Sequence, residues 1–184
     1  PERCYFCKTE LFGKLKEIAG EQGFLNVADG ANLDDTQEFR PGLQASRELN
    51  VRSPLKETGL TKKDIREVSK FLNLPNWDKP AYACLSSRFP YGQSITEEKL
   101  SMVSEAEKYL RALGLIQFRV RHHETIARIE VLPEDIHILT NSPVREELSA
   151  KFKNIGFTYV TLDLEGYRSG SMNEILSEIE QKIN

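Results

Sequence analysis

At 184 residues, 39% hydrophobic and 29% charged, the chain has the balance of a folded globular protein with one ordinary or two small domains, which speaks against disorder. A formal net charge of -3 argues against the extended basic surface that nucleic acid requires, while leaving room for a local arginine cluster around one small phosphorylated ligand. No apolar run approaches the roughly 18 to 20 residues of a membrane span and no signal-peptide pattern precedes the first cysteine, so no membrane contact and a cytoplasmic location are expected.

The chain opens without an initiator Met and reaches Cys4 and Cys7, in "ERCYFCK", before any predicted element, as the later part of something longer would. A C-x-x-C serves a redox disulfide, half a zinc site or two ligands of an iron–sulfur cluster, and the spacing alone does not choose. With Cys84 the count is three, which internal disulfides cannot fully pair and which fits a reducing compartment. Leu11, Phe12, Leu15, Ile18 and Ala19 fall at helical spacing between Lys8 and Glu21, with Gly20 and Gly23 at the exit. "FLNVA" reads as a short buried strand running into "DGANLDD", Asp29 to Asp35. An acidic turn at the carboxyl end of a strand is where open α/β sheets place ligands, although a solvated Asx turn is the plainer reading.

A helix is predicted from Gly42 to Leu49, then an extended piece from Val51 to Leu55. The next helix starts at Thr61, a capping residue with Asp64 at the capping-box position, and buries Ile65, Val68, Phe71 and Leu72. "NLPNWDKPAYACLSSRFPYGQ" has no period and reads as a long functional loop around Cys84, for which a buried inert thiol is the plainer alternative. The pattern restarts near Gly92, so domains of 1–92 and 93–184 are expected.

Thr96 caps an amphipathic helix carrying Leu100, Val103, Ala106, Tyr109, Leu110 and Leu113, with Gly114 just past its end. "IQFRVRHH" and "TIARIEVL" alternate apolar and polar residues, predicting two strands and a tight turn at His123 to Thr125. Arg119 and Arg121 then share one face, where two guanidinium forks suit a phosphate or carboxylate, the plainer reading being a solvated outer face. Helices over Pro133–Leu139 and Pro143–Asn154, a strand "YVTLDL" and a last helix "MNEILSEIEQKI" complete a small α/β unit. His122, His123 and His137 lack ligand-like spacing and read as ordinary surface or half-buried residues.

"RCYFCK", "DGANLDD", "RPGLQASRELNVRSPL", "ACLSSR", "FRVRHHETIARIEV" and "GYRSGSMNEI" together resemble the ATP-dependent sulfur transferases of the LarE type. Those enzymes thiolate the pyridinium carboxylates of the nickel-pincer nucleotide within the PP-loop ATP-pyrophosphatase superfamily. The resemblance runs in order from Pro1 to about Leu176 and implies an α/β fold. Its first part would be the C-terminal portion of a Rossmann-like PP-loop domain, and its second a small α/β domain for substrate binding and oligomerisation. The SGGxDS phosphate loop that begins the family is missing here, so this stretch alone should lack the cradle for ATP's phosphates.

The resemblance implies a mechanism in which ATP adenylates a carboxylate and sulfur then displaces AMP. Some members sacrifice the cysteine of "ACLSSR"; others use three cysteines to hold a 4Fe-4S cluster, here Cys4, Cys7 and Cys84, with zinc as the rival. By the same resemblance Asn32, Asp35 and Arg40 fall to ATP and Mg²⁺, Lys8 and Arg88 to the sulfur centre beside Cys84, and Ser87, Glu107, Arg119 and Arg121 to the substrate. Glu107, Glu130 and Arg168 are the weaker candidates, resting on matching stretches alone. The expected partner is a nicotinate-derived mononucleotide, not nucleic acid, and the expected assembly a homo-oligomer. A tRNA thiolase of the same superfamily and a non-catalytic interaction module remain alternatives.

Overall fold

A computed structural model of the chain describes residues 2–37, 41–79, 83–168 and 171, which divide into two compact units, Pro1–Lys79 and Pro80–Asn184. Gly92 lies inside the second unit, because the Cys84 turn packs against later elements of that unit. The mixed content is α/β, and among the described residues no helix is long and apolar enough to cross a membrane. The predicted last helix lies outside the described residues.

The first unit is mainly helical. Helix α1, Arg3–Glu21, starts earlier than the apolar spacing suggests, so Cys4 and Cys7 sit in its first turns rather than ahead of all structure. Helical propensity is tolerant enough to extend an apolar stripe through "RCYF". α2, Pro41–Glu48, packs against α1, and the approach is close: a Cβ on Gly42 would stand 2.8 Å from the Lys8 side chain. α3, Pro54–Glu57, comes next. α4, Lys62–Phe71, carries the full capping box, with Asp64 N donating to Thr61 Oγ1 and Thr61 N donating to Asp64 Oδ2.

Two expectations fail here. "FLNVA" is neither a strand nor buried, for Leu25 is 96% exposed and only a single parallel bridge, Ala28 to Arg52, forms. The apolar side of α4 is likewise open, with Phe71 83% exposed. Periodicity identifies which side chains share a face, but it cannot supply the surface that face packs on.

The second unit holds the larger core. α5, Glu97–Ala112, is capped by Thr96, whose Oγ1 accepts from Lys99 N, and Gly114 lies just beyond it in the left-handed region. Strands β1, Phe118–His123, and β2, Ile126–Val131, form an antiparallel hairpin with Phe118 opposite Val131 and His123 opposite Ile126. α6, Ile136–Thr140, and α7, Val144–Ile155, then lead to β3, Tyr159–Leu162, which lies parallel to β2. The sheet order is β1-β2-β3. One face carries Phe118, Val120, Ala127, Ile129 and Val131 against Ala106, Leu110, Leu148 and Phe152; burying each large side chain stabilises by about 1.5–3 kcal/mol.

His122 belongs to that core face and is 1% exposed, stacked between the rings of Phe89 and Phe157 at 5.1 and 5.5 Å. This corrects the surface reading for His122, while His123 is half-buried and His137 is exposed, its Nδ1 2.6 Å from the Glu134 carbonyl. Burial first, then the charge of Lys99, holds the His122 imidazole below its ordinary range, with Glu124 opposing. Burial likewise lowers His123. The unfolded chain therefore takes up protons first as pH falls, so stability is full above about 6.5 and is lost below it. Urea midpoints should hold from pH 8 to 7, drop from about 6.5 downward, and drop less steeply in His122→Phe. Equal acid slopes for the two proteins would refute a buried neutral His122.

Candidate functional site

In the first unit the acidic loop organises itself. Asp35 Oδ2 accepts from Asn32 N at 2.9 Å, Asn32 Oδ1 from Asp34 N at 3.0 Å, and Asp34 Oδ2 from Lys62 N at 2.8 Å. Asn32 and Asp35 thus shape the turn; Arg40 lies outside the described residues. Asp29, which sequence reading passed over, is the hub. Its Oδ1 accepts from Ser53 Oγ at 2.8 Å and Ala31 N at 3.1 Å, and its Oδ2 from Ser46 Oγ at 3.2 Å. Lys8 Nζ stands 3.9 Å from the same Oδ2 and 5.4 Å from the Phe12 ring centre, so its charge is directed at Asp29. Cys4 and Cys7 are exposed free thiols three residues apart on α1.

In the second unit Cys84 precedes a 3-10 turn, Leu85–Arg88, and its carbonyl is held by three donors: Ser87 N at 3.0 Å, Ser87 Oγ at 2.7 Å and Arg88 Nη1 at 3.0 Å. The backbone is pinned while the thiol stays exposed and free, which removes the buried-thiol alternative. Arg88 does this from the interior. It is 1% exposed, also donates to the Ala83 carbonyl at 2.8 Å, and grips Glu107 through Nε at 2.7 Å and Nη2 at 3.0 Å. Glu107 Oε1 accepts in addition from Val120 N at 3.1 Å, joining α5, β1 and the Cys84 turn.

The sheet face opposite the core is charged yet largely buried, with Ser87, Asp163, Tyr167 and Ser171 packed against it. Arg119, Arg121 and His123 on β1 share it with Arg128 and Glu130 on β2. Arg121 donates to Glu130 through Nε at 2.9 Å and Nη2 at 2.7 Å, to the Ser87 carbonyl at 3.0 Å and to Ser171 Oγ at 3.0 Å. Glu130, wholly buried, also accepts from Arg128 Nη2 at 3.0 Å; Arg128 Nη1 lies 3.3 Å and Arg168 Nη1 3.8 Å from Asp163. Arg119 is 3% exposed, its Nη1 donating to the Phe118 carbonyl at 2.6 Å and its Cζ 5.0 Å from the Tyr167 ring centre. Burial, then the Arg88 charge, lowers its proton affinity. Neither arginine stands on a solvated outer face.

The structure thus ties Ser87, Arg88 and Glu107 to the Cys84 turn, joins Arg121 to it through the Ser87 carbonyl with Glu130 behind, and places Arg119 on the same sheet face. Arg128 and Asp163 escaped sequence reading, although Arg128 shares a face with Glu130 at a spacing of two. Within either unit, among the described residues, no three His, Cys, Asp or Glu side chains gather closely enough to hold a metal ion.

No family model matches the chain. It is 52% identical over 176 residues to the uncharacterized protein slr1717 of Synechocystis, and 39% identical over 169 residues to the uncharacterized protein MJ0830 of Methanocaldococcus jannaschii. It is also 42% identical over 180 residues to the pyridinium-3,5-bisthiocarboxylic acid mononucleotide synthase of Lactiplantibacillus plantarum. The chain is homologous to that synthase. The alignments cover 96%, 92% and 98% of this chain, and 66%, 65% and 64% of the respective relatives, so the chain spans just under two thirds of the curated relatives it matches.

Proposed function

We propose that the full-length protein carrying this chain is an ATP-dependent sulfurtransferase that converts carboxylates of a pyridinium mononucleotide to thiocarboxylates, a step toward the nickel-pincer nucleotide. Support comes from the homology to the mononucleotide synthase over nearly the whole chain. The observation that carries it to residues is the pinned Cys84 turn, an exposed thiol on a backbone held by a buried arginine that Glu107 clamps. In this reading the first unit is part of a Rossmann-like PP-loop domain whose phosphate-binding segment lies outside the sequence described.

The chemistry balances simply. A substrate carboxylate oxygen attacks the α-phosphorus of ATP and pyrophosphate leaves; sulfur then attacks the acyl carbon, AMP leaves, and a C–S bond replaces a C–O bond. Arg119 and Arg121 bind the substrate phosphate with Ser87 beside them, and Arg88, clamped by Glu107, fixes the Cys84 backbone. Asn32, Asp35 and Arg40 shape the ATP and Mg²⁺ side, and Lys8 orders the loop through Asp29. Cys4, Cys7 and Cys84, free and exposed thiols, would be the ligands of a 4Fe-4S cluster, the role the resemblance gives them. When bound, such a cluster supplies sulfide without consuming a protein sulfur. The protein acts in the cytoplasm as a homo-oligomer.

Mass spectrometry of the mononucleotide after anaerobic incubation with ATP and a sulfur source tests the reading. A gain of sulfur for oxygen is expected, and unchanged substrate with an intact, ATP-consuming protein would refute it. Arg119→Ala should raise KM about tenfold or more, the loss of one charge-assisted contact worth roughly 1.5–3 kcal/mol, with a smaller effect on kcat.

A further inference from the structure

Two buried nitrogens on the charged sheet face have no hydrogen-bond partner among the described residues, Nε2 of His123 and Nε of Arg128. The two residues are close neighbours on that face. Arg121 stands two positions before His123 on β1 and directly opposite Arg128 on β2, and Arg128 is the strongest charge acting on the His123 ring. Arg128 spends Nη2 on Glu130 and Nη1 on Asp163, and its Nε–H has no partner among the described residues. An unmatched buried donor is costly, and such groups in native structures call for a ligand or an ordered water to complete them.

The electrostatics select the kind of ligand. The charged and titratable groups around His123 are Arg128, Arg121, Glu130 and His122, and both carboxylate oxygens of Glu130 are already engaged by the arginines. A cationic or purely donating group would meet guanidinium N–H. An oxygen bearing negative charge can accept from Arg128 Nε and from His123 Nε2 in its protonated tautomer, and the neighbouring arginines add attraction. A third of the Arg128 side chain is accessible, so this edge of the face borders solvent although the two nitrogens themselves are buried.

We propose that His123 Nε2 and Arg128 Nε form a second oxyanion contact on this face, distinct from that of Arg119 and Arg121, which takes a phosphate or carboxylate oxygen of the bound ligand. The inference rests on the mononucleotide reading only for the identity of the natural ligand, which carries both groups. It assigns the two residues to substrate contact, and it gives the buried His123 Nε2 and Arg128 Nε a partner.

The test uses the full-length protein with isotope-labelled histidine, the His123 ring resonance being assigned through His123→Gln. Inorganic phosphate and, separately, a pyridine carboxylate are titrated at pH 7. A saturable shift with either probe, together with a higher titration midpoint for the ring, is expected; the stronger probe identifies which group the pair holds. Arg128→Lys keeps a cation near Glu130 and Asp163 but has no Nε, and should weaken the effective probe about tenfold or more without loss of fold. A ring resonance that ignores both probes, as when only water fills the pair, would overturn the proposal. So would Arg128→Lys affinities within twofold of the parent. These titrations do not read turnover, so they stand or fall independently of thiocarboxylate formation.

Discussion

Cys84→Ala in the full-length protein is expected to abolish thiocarboxylate formation while ATP-dependent pyrophosphate release continues. The reason for the separation is the way the turn is held. All three donors that fix residue 84 act on its backbone carbonyl, and none depends on sulfur. Removing Sγ from an exposed position therefore leaves Ser87, Arg88 and the Arg88–Glu107 clamp where they are, and the change in stability should stay within about 0.5 kcal/mol. The loss is chemical rather than structural. On the proposed mechanism, whether the thiol gives up its own sulfur or holds a cluster that delivers sulfide, the acyl adenylate would form and find no nucleophile. Labelled pyrophosphate exchange and mass spectrometry of the product read the two half-reactions separately. A Cys84→Ala protein that thiolates substrate over many turnovers with sulfide supplied would rule out both roles, as would loss of both half-reactions with the fold intact.

The local signals in the sequence were strong where the chemistry is local. Thr61 with Asp64 and Thr96 with Lys99 cap their helices as the side chains dictate, and the alternation around His123 to Thr125 yields the hairpin in register. The same alternation placed Arg119 and Arg121 on one face, but it could not say that loop residues from both directions cover that face. Burial of a face depends on what returns to it from far along the chain: Ser87 from 34 residues before Arg121, and Ser171 from 50 residues after. Arg88 shows the same limit. Nothing local announces that an arginine in a serine-rich loop will be among the most buried side chains, because the counter-charge that permits its burial is Glu107, 19 residues away. In the first unit the apolar stripe of α4 was legible and its partner surface was not.

Glu130→Ala should cost about 3–5 kcal/mol, the largest stability loss expected from a single change in the second unit. The carboxylate is wholly buried and accepts four hydrogen bonds: Arg121 Nε and Nη2, Arg128 Nη2, and Ser171 Oγ at 3.3 Å. Deleting it leaves the Arg121 guanidinium buried beside Arg119 and Arg128 with its principal counter-charge gone, and an uncompensated buried cation is far more costly than a lost surface pair. Against a typical total of roughly 5–15 kcal/mol, such a loss brings the unit close to unfolding. Arg128→Ala is the informative contrast. Arg128 is a third exposed, so removing it leaves Glu130 still gripped twice by Arg121, and the cost should be no more than about 1–2 kcal/mol. Urea titrations at pH 7.5, where His122 and His123 are neutral in both states, give the comparison through the shift in midpoint at constant slope. A Glu130→Ala protein within 1 kcal/mol of the parent would mean that water or a bound anion, not this carboxylate, compensates Arg121.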